Sequence, residues 1–155
     1  MKIYTDGATS KNGYAESYGG WAWVIVEDVN DRHYVRRSGV GSAYNVTNNQ
    51  CELMALIEAC EAAEQIGGTF DVYSDSAYCI NCYQQKWYKK WQANGWLNSK
   101  KEPVANPYLW ELLIPYFENP NFKFYKVKGH ANDYWNNYVD RMAVEAKQLQ
   151  GKLNE

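Results

Sequence analysis

No run of apolar residues approaches the ~20 that a membrane span needs. The start, Met1-Lys2-Ile3-Tyr4-Thr5-Asp6-Gly7, has no long apolar stretch of the kind a secretory leader carries. A cytoplasmic protein is therefore expected. The chain has no repeat, low-complexity tract or linker, so its 155 residues read as one domain. Charge of one sign is not in excess: 16 Lys and Arg face 18 Asp and Glu, for a formal charge of -2. Bulk attraction to nucleic acid does not follow from that balance, although a local basic patch could still supply it. Cysteine is scarce. Of the 4 present, only Cys79 and Cys82 have C-x-x-C spacing, and no second pair or nearby His completes a zinc site. All four fall in helical stretches, so buried, reduced thiols are expected. Aromatic residues are abundant instead, with 7 Trp and 14 Tyr. They build either a Trp-rich core or an exposed stacking surface.

Periodicity sets out the elements. Ile3 to Asp6 reads as a strand end. Gly19 to Glu27 is a strand with Ala22, Val24 and Val26 on one face and Trp21, Trp23 and Ile25 on the other. Arg32 to Val40 is its expected partner, joined through the hairpin residues Asp28-Val29-Asn30-Asp31. Thr47 or Asn48 caps a helix, Thr47 fitting the role with Gln50 as the box partner three residues on, and Gly67-Gly68 stop it. Phe70 to Ser74 is a short strand, Ser76 to about Gln85 a helix, and Lys86 to Trp96 another short helix with a turn at Asn94-Gly95. Pro107 suits a first helical turn, and Pro115 should end or kink that helix. Phe122 to Lys128 alternates as a strand, and about Asn136 to Leu149 forms the last helix. Three leading strands suggest an antiparallel meander, and strands separated by helices suggest parallel additions. The expected fold is α/β, a mixed five-stranded sheet flanked by helices.

Four acids sit where the chain changes type. Asp6 and Asp75 follow strands in look-alike motifs, Tyr4-Thr5-Asp6-Gly7 and Tyr73-Ser74-Asp75-Ser76. Strand ends of this kind line the ligand crevice of open sheets. Glu52 lies in the first turns of the Thr47 helix, and Asp140 lies on the last helix. Taken singly, each acid could be a turn former or a partner of a helix dipole. Brought together, they would repel unless a cation neutralised them. Oxygen-only ligands suit Mg²⁺ or Mn²⁺ rather than Zn²⁺. Two such ions could clamp an in-line phosphoryl displacement. His130, in Lys128-Gly129-His130-Ala131-Asn132, is either a surface loop residue or a proton carrier with a pKa near neutrality.

Those residues carry a family resemblance. The stretches Tyr4-Thr5-Asp6-Gly7, Thr47-Asn48-Asn49-Gln50-Cys51-Glu52-Leu53-Met54-Ala55, Ser74-Asp75-Ser76 and Val127-Lys128-Gly129-His130-Ala131, followed by Asn136 and Asp140, resemble ribonuclease H of type I. That enzyme cuts the RNA strand of RNA–DNA hybrids. The resemblance runs from about Lys2 to Ala146. It implies that Asp6, Glu52, Asp75 and Asp140 hold two Mg²⁺ ions, with Mn²⁺ as a substitute, and that His130 assists proton transfer or product release. It also implies two-metal-ion hydrolysis to 5′-phosphate and 3′-hydroxyl ends. For the substrate it points to Thr47 and Asn106 at a DNA phosphate, and to Asn12, Asn48, Asn49 and Gln50 along the hybrid. Lys86 to Trp96, with Trp87, Lys89, Lys90 and Trp91, resembles the family's basic protrusion; Trp96 reads as that segment's own core.

The chain departs from the family in three places. Asn45 stands where many members have Arg, Gln50 replaces another frequent Arg, and Gln92-Ala93-Asn94 is uncharged where relatives are often basic. Weaker, more salt-sensitive hybrid binding is the expected result. The chain reads as one catalytic domain over residues 1–155, monomeric, with no separate hybrid-binding module. Two alternatives remain open: another nuclease of the same fold, such as a junction resolvase or integrase-like enzyme, and a catalytically silent hybrid-binding domain.

Overall fold

The computed structural model describes residues 1–10, 16–127 and 133–153. Its centre is a five-stranded sheet. Strand β1 is Lys2–Thr9, β2 Tyr18–Val29, β3 Arg32–Tyr44, β4 Phe70–Ser74 and β5 Phe122–Lys126. They lie in the order β3-β2-β1-β4-β5. β1, β2 and β3 pair antiparallel, whereas β4 joins β1, and β5 joins β4, in parallel. The expected mixed sheet is therefore present.

β2 alternates as its sequence requires. Trp23 and Ile25 enter the larger core on one face, and Trp21 packs beside them with Cys51 and Ala55. Ala22, Val24 and Val26 enter the smaller core on the other face. The hairpin is tighter than read. Only Asn30 and Asp31 lie outside the strands, both with positive φ (52° and 62°), the geometry of a two-residue type I′ turn. β3 runs on past Val40 to Tyr44, since its Gly39 and Gly41 let the Trp23 and Trp21 rings lie over its backbone.

The larger core is roofed by four helices. α1 is Asn48–Ile66, α2 Ala77–Gln85, α3 Trp87–Asn94 and α4 Pro107–Phe117. Thr47 and Gln50 form the expected capping box on α1. Ser76 caps α2, its hydroxyl accepting the Cys79 N–H at 3.1 Å. Lys86 adopts a left-handed conformation (φ 56°) and separates α2 from α3. Pro107 opens α4, and the helix passes through Pro115 to end two residues later. The expected stop is thus displaced by half a turn. The smaller core is covered by one helix, α5, Tyr134–Leu153, longer at both ends than the sequence pattern suggested. β5 is shorter than expected, ending at Lys126. All four cysteines are buried and unpaired. Among the described residues, no helix is long and apolar enough to cross a membrane.

Candidate metal centre

The parallel register of β1 and β4 places the first two acids side by side. Tyr4 pairs with Tyr73, and Asp6 and Asp75 each lie two residues further along. Asp75 follows the end of β4, as expected. Asp6 does not end its strand: β1 continues to Thr9, held by antiparallel pairing that sets Asp6 opposite Ala22. Asp6 sits where β1 outruns β4, so the crevice still forms there. Its side chain shares the face of Tyr4 and Ala22, the face that α5 covers.

Glu52 arrives from the opposite face, on α1. Gly7 makes this approach possible. A Cβ at Gly7 would stand 2.8 Å from the Glu52 nitrogen and 2.9 Å from the Cys51 carbonyl carbon, closer than real Cβ atoms come. With only hydrogen there, helix and strand touch. The Gly7 N–H donates to Asp6 Oδ1 at 2.8 Å and to Glu52 Oε1 at 2.7 Å, so one backbone donor fixes two carboxylates from two faces. The Ser74 hydroxyl approaches Glu52 Oε2 at 3.5 Å and accepts the Ser76 N–H at 3.1 Å. Neither Gly7 nor Ser74 was assigned a role from sequence. The signal was present in both motifs, since each residue adjoins an acid.

Asp6, Glu52 and Asp75 each offer an oxygen within 4.8 Å of the others. Asp6 and Glu52 are buried and Asp75 is exposed. Burial, then the charges of Glu52 and Asp75, push the Asp6 carboxyl far above the usual carboxylate range. Burial and then Asp75 push Glu52 up too, tempered by the bonds it accepts from Asp6, Gly7 and Ser74. These are carboxylates that a positive charge would discharge, and an all-oxygen set suits a hard divalent cation. Asp140, exposed on α5, lines the same cleft of about 340 Å³ together with Asn48 and Asn49. It adds to the upward push on the Asp6 carboxyl. The structure therefore brings all four acids to one cleft, three as a tight group and Asp140 at the rim. His130 and Asn12 lie outside the described residues.

A second groove, of about 560 Å³, adjoins the cleft through Asn49, which borders both. Its walls include Tyr78, Trp87, Lys90, Trp91 and Asn98. Trp87 is half-buried, with its ring 6.5 Å from Tyr78 and 6.3 Å from Trp91. Trp91 belongs mainly to the core: it is 8% exposed and meets Trp110 edge-on at 5.4 Å. Trp96 packs on Trp91 at 6.0 Å and supports that core, as expected. Lys89 and Lys90 are exposed. Thr47 and Asn106 stand at the starts of α1 and α4, joined by Gln50, whose Nε2 donates to Asn106 Oδ1 at 3.1 Å.

The family model RNase H matches residues 1–148. The Ribonuclease H of Syntrophomonas wolfei is 44% identical over 144 residues, covering 93% of each chain. That of Thermoanaerobacter sp. is 41% identical over 145 residues, covering 94% of this chain and 88% of the relative. Among solved structures, LC9-RNase H1, described as a type 1 RNase H with the type 2 active-site motif, superposes with a TM-score of 0.80. It is 26% identical, with 96% of this chain and 72% of that one covered. The solution structure of the PFV RNase H domain gives a TM-score of 0.77 at 24% identity, with 96% and 94% covered, and so shares the fold. With a match of this identity along almost its whole length, the chain belongs to the RNase H family of enzymes.

Proposed function

We propose that the protein is a metal-dependent endonuclease that hydrolyses the RNA strand of RNA–DNA hybrids, leaving 5′-phosphate and 3′-hydroxyl ends. The observation that carries this reading is the convergence of Asp6, Glu52 and Asp75 within 4.8 Å at the end of the parallel strand pair. These three, with Asp140 at the rim, would hold two divalent cations, Mg²⁺ or Mn²⁺. When bound, such cations supply Lewis acidity to an in-line phosphoryl displacement.

The chain's own residues do the rest. Gly7 N–H holds Asp6 and Glu52 in place before substrate arrives, which lowers the reorganisation needed for reaction. Asn48 and Asn49 line the cleft and are suited to groove edges or the ribose 2′-OH, the group that separates RNA from DNA. Thr47 and Asn106 would bind a phosphate of the DNA strand. Trp87, Lys89 and Lys90 would carry that strand along the adjoining groove, with Trp91 contributing an edge. His130 would transfer a proton or help release product, and Asn12 would contact the hybrid. Residues 1–155 would act as one catalytic domain, monomeric and cytoplasmic. The four unpaired thiols accord with a reducing compartment.

The test uses end-labelled RNA as a hybrid with DNA, as a single strand and as an RNA duplex. Each is incubated with Mg²⁺, Mn²⁺ or chelator, with Asp75→Asn in parallel. Metal-dependent cutting of the hybrid alone, lost in the variant, is expected. Cutting of branched or duplex DNA instead would give the site to another nuclease reaction. Hybrid binding without turnover in any metal would leave a binding domain.

A further inference from the structure

The starts of two helices face one another across Gln50. Thr47 caps α1 and Asn106 caps α4. Asn106 has a left-handed backbone (φ 57°) and its side chain makes no capping bond to its own helix. Gln50 engages it instead. The backbone N–H of Thr47 can only donate, so the Gln50 atom 2.8 Å from it is the acceptor Oε1. The other end of that amide is then the donor Nε2, and the atom it meets at 3.1 Å is Asn106 Oδ1. The Asn106 oxygen is thereby occupied, and its NH₂ is the end turned away from Gln50. One backbone N–H sets the polarity of two side-chain amides in series. The Thr47 hydroxyl accepts the Gln50 N–H at 3.2 Å, leaving its own proton to donate. Neither helix has an acid in its first turn, so both dipoles direct positive potential to this place.

We infer that Gln50 is a positioning residue: it turns Asn106 so that an amide N–H, rather than a carbonyl oxygen, meets a phosphate oxygen of bound nucleic acid. The inference rests on the reading of Asn106 as a phosphate contact. It gives Gln50 a role without direct contact, because both ends of its amide are already engaged within the protein. Where an Arg would meet the anion with its own charge, the uncharged Gln50 works through its neighbour.

Gln50→Glu separates this role from helix capping. Glutamate still accepts the Thr47 N–H, so the α1 cap survives, but it has no donor for Asn106. The Asn106 amide then turns over and presents its oxygen to the phosphate. In steady-state cleavage of an RNA–DNA hybrid, KM should rise about tenfold, equivalent to one hydrogen bond to a charged acceptor. The effect should fall on KM rather than kcat, with the melting temperature retained. Repeating the substitution in an Asn106→Ala background controls for the added charge. There it should change KM by less than about twofold, since the residue it acts through is gone. A full penalty in that background would show that Glu acts by charge alone and would overturn the inference. So would a KM raised by Asn106→Ala but unmoved by Gln50→Glu, an outcome that leaves the phosphate reading intact. An unchanged KM in Asn106→Ala would remove the phosphate reading and the inference together.

Discussion

Asp6→Asn should make the metal-free protein more stable at neutral and alkaline pH. The three carboxylates have oxygens within 4.8 Å of one another. Two full charges at that distance repel by about 3.5 kcal/mol at an effective dielectric of ~20. Burial, and then this repulsion, favour the protonated forms, which is why Asp6 and Glu52 titrate above the usual carboxylate range. Both folded values are raised. The folded state therefore holds protons that the unfolded state has already lost, and stability is greatest below the unfolded carboxylate values. It falls as pH rises toward the folded ones. Asn keeps the oxygen that accepts the Gly7 N–H and removes one charge from the group. A gain of about 2 kcal/mol at pH 8 follows from relieving part of the repulsion, or ~4–8 °C in melting temperature for a domain of this size. Thermal unfolding followed by circular dichroism in chelator, from pH 4 to pH 9, checks this. The gain should shrink toward zero near pH 4. Added Mg²⁺ should stabilise the wild-type protein more than the variant, because ligation of the native state adds stability by mass action. A variant less stable than wild type at pH 8 in chelator would refute the reasoning, as would a gap that does not change with pH.

Gly7→Ala should cost about 1–3 kcal/mol by overpacking and displace Glu52; loss of metal-dependent activity together with a flatter pH dependence of metal-free stability would report that displacement. Gly20→Ala is the control on the other face. A Cβ there would stand 2.4 Å from the Lys147 nitrogen and 2.6 Å from the Ala143 oxygen of α5, so unfolding should show a similar cost but an unchanged pH dependence. Trp91→Ala should destabilise by about 3–5 kcal/mol, as expected for a core aromatic; a melting temperature unchanged by the substitution would make Trp91 a surface contact instead. Hybrid binding should be weaker than in a relative with Arg at the positions of Asn45 and Gln50, but with a shallower salt slope. Each missing cation removes a counterion from the release, which argues for a shallower slope instead of the greater salt sensitivity expected above; a salt titration with a slope as steep as the basic relative's would refute it.

The fold was legible in the sequence wherever one period held and a chemical stop ended it. Phe70–Ser74 and the Thr47 start of α1 needed nothing more than alternation, a capping box and a Gly-Gly stop. Three of the misread boundaries share a cause: residues that usually stop an element were kept inside it by tertiary packing. Gly7 looked like the end of β1, yet pairing with β2 carries the strand to Thr9. β3 was expected to end at Val40, before Gly41, yet the rings of Trp23 and Trp21 cover Gly39 and Gly41 and the strand runs on to Tyr44. Pro115 looked like a helix stop, yet α4 continues to bury Tyr116 and Phe117. In each case local propensity lost to a contact with a residue distant in sequence.

The carboxylates were legible as types and positions through the look-alike motifs around Asp6 and Asp75 and the family resemblance that added Glu52 and Asp140. Their polarity and protonation were not. These depend on Gly7, whose contribution is an absent Cβ and a backbone N–H. A sequence records Gly7 only as a turn former. The same argument explains why Gln50 could be read as a lost charge but not as a link to Asn106. The two residues are 56 positions apart, and the amide direction follows only once the Thr47 N–H is seen to occupy Gln50 Oε1. Charge can be counted along a chain, whereas the direction of a hydrogen bond belongs to the geometry. In the cleft two carboxylates share the Gly7 N–H, and at the starts of α1 and α4 two amides take their orientation from the Thr47 N–H. Side-chain chemistry is thus set by main-chain donors at the start of α1 and in the middle of β1. Substitutions that move those backbone segments should alter the site as much as substitutions of the acids themselves.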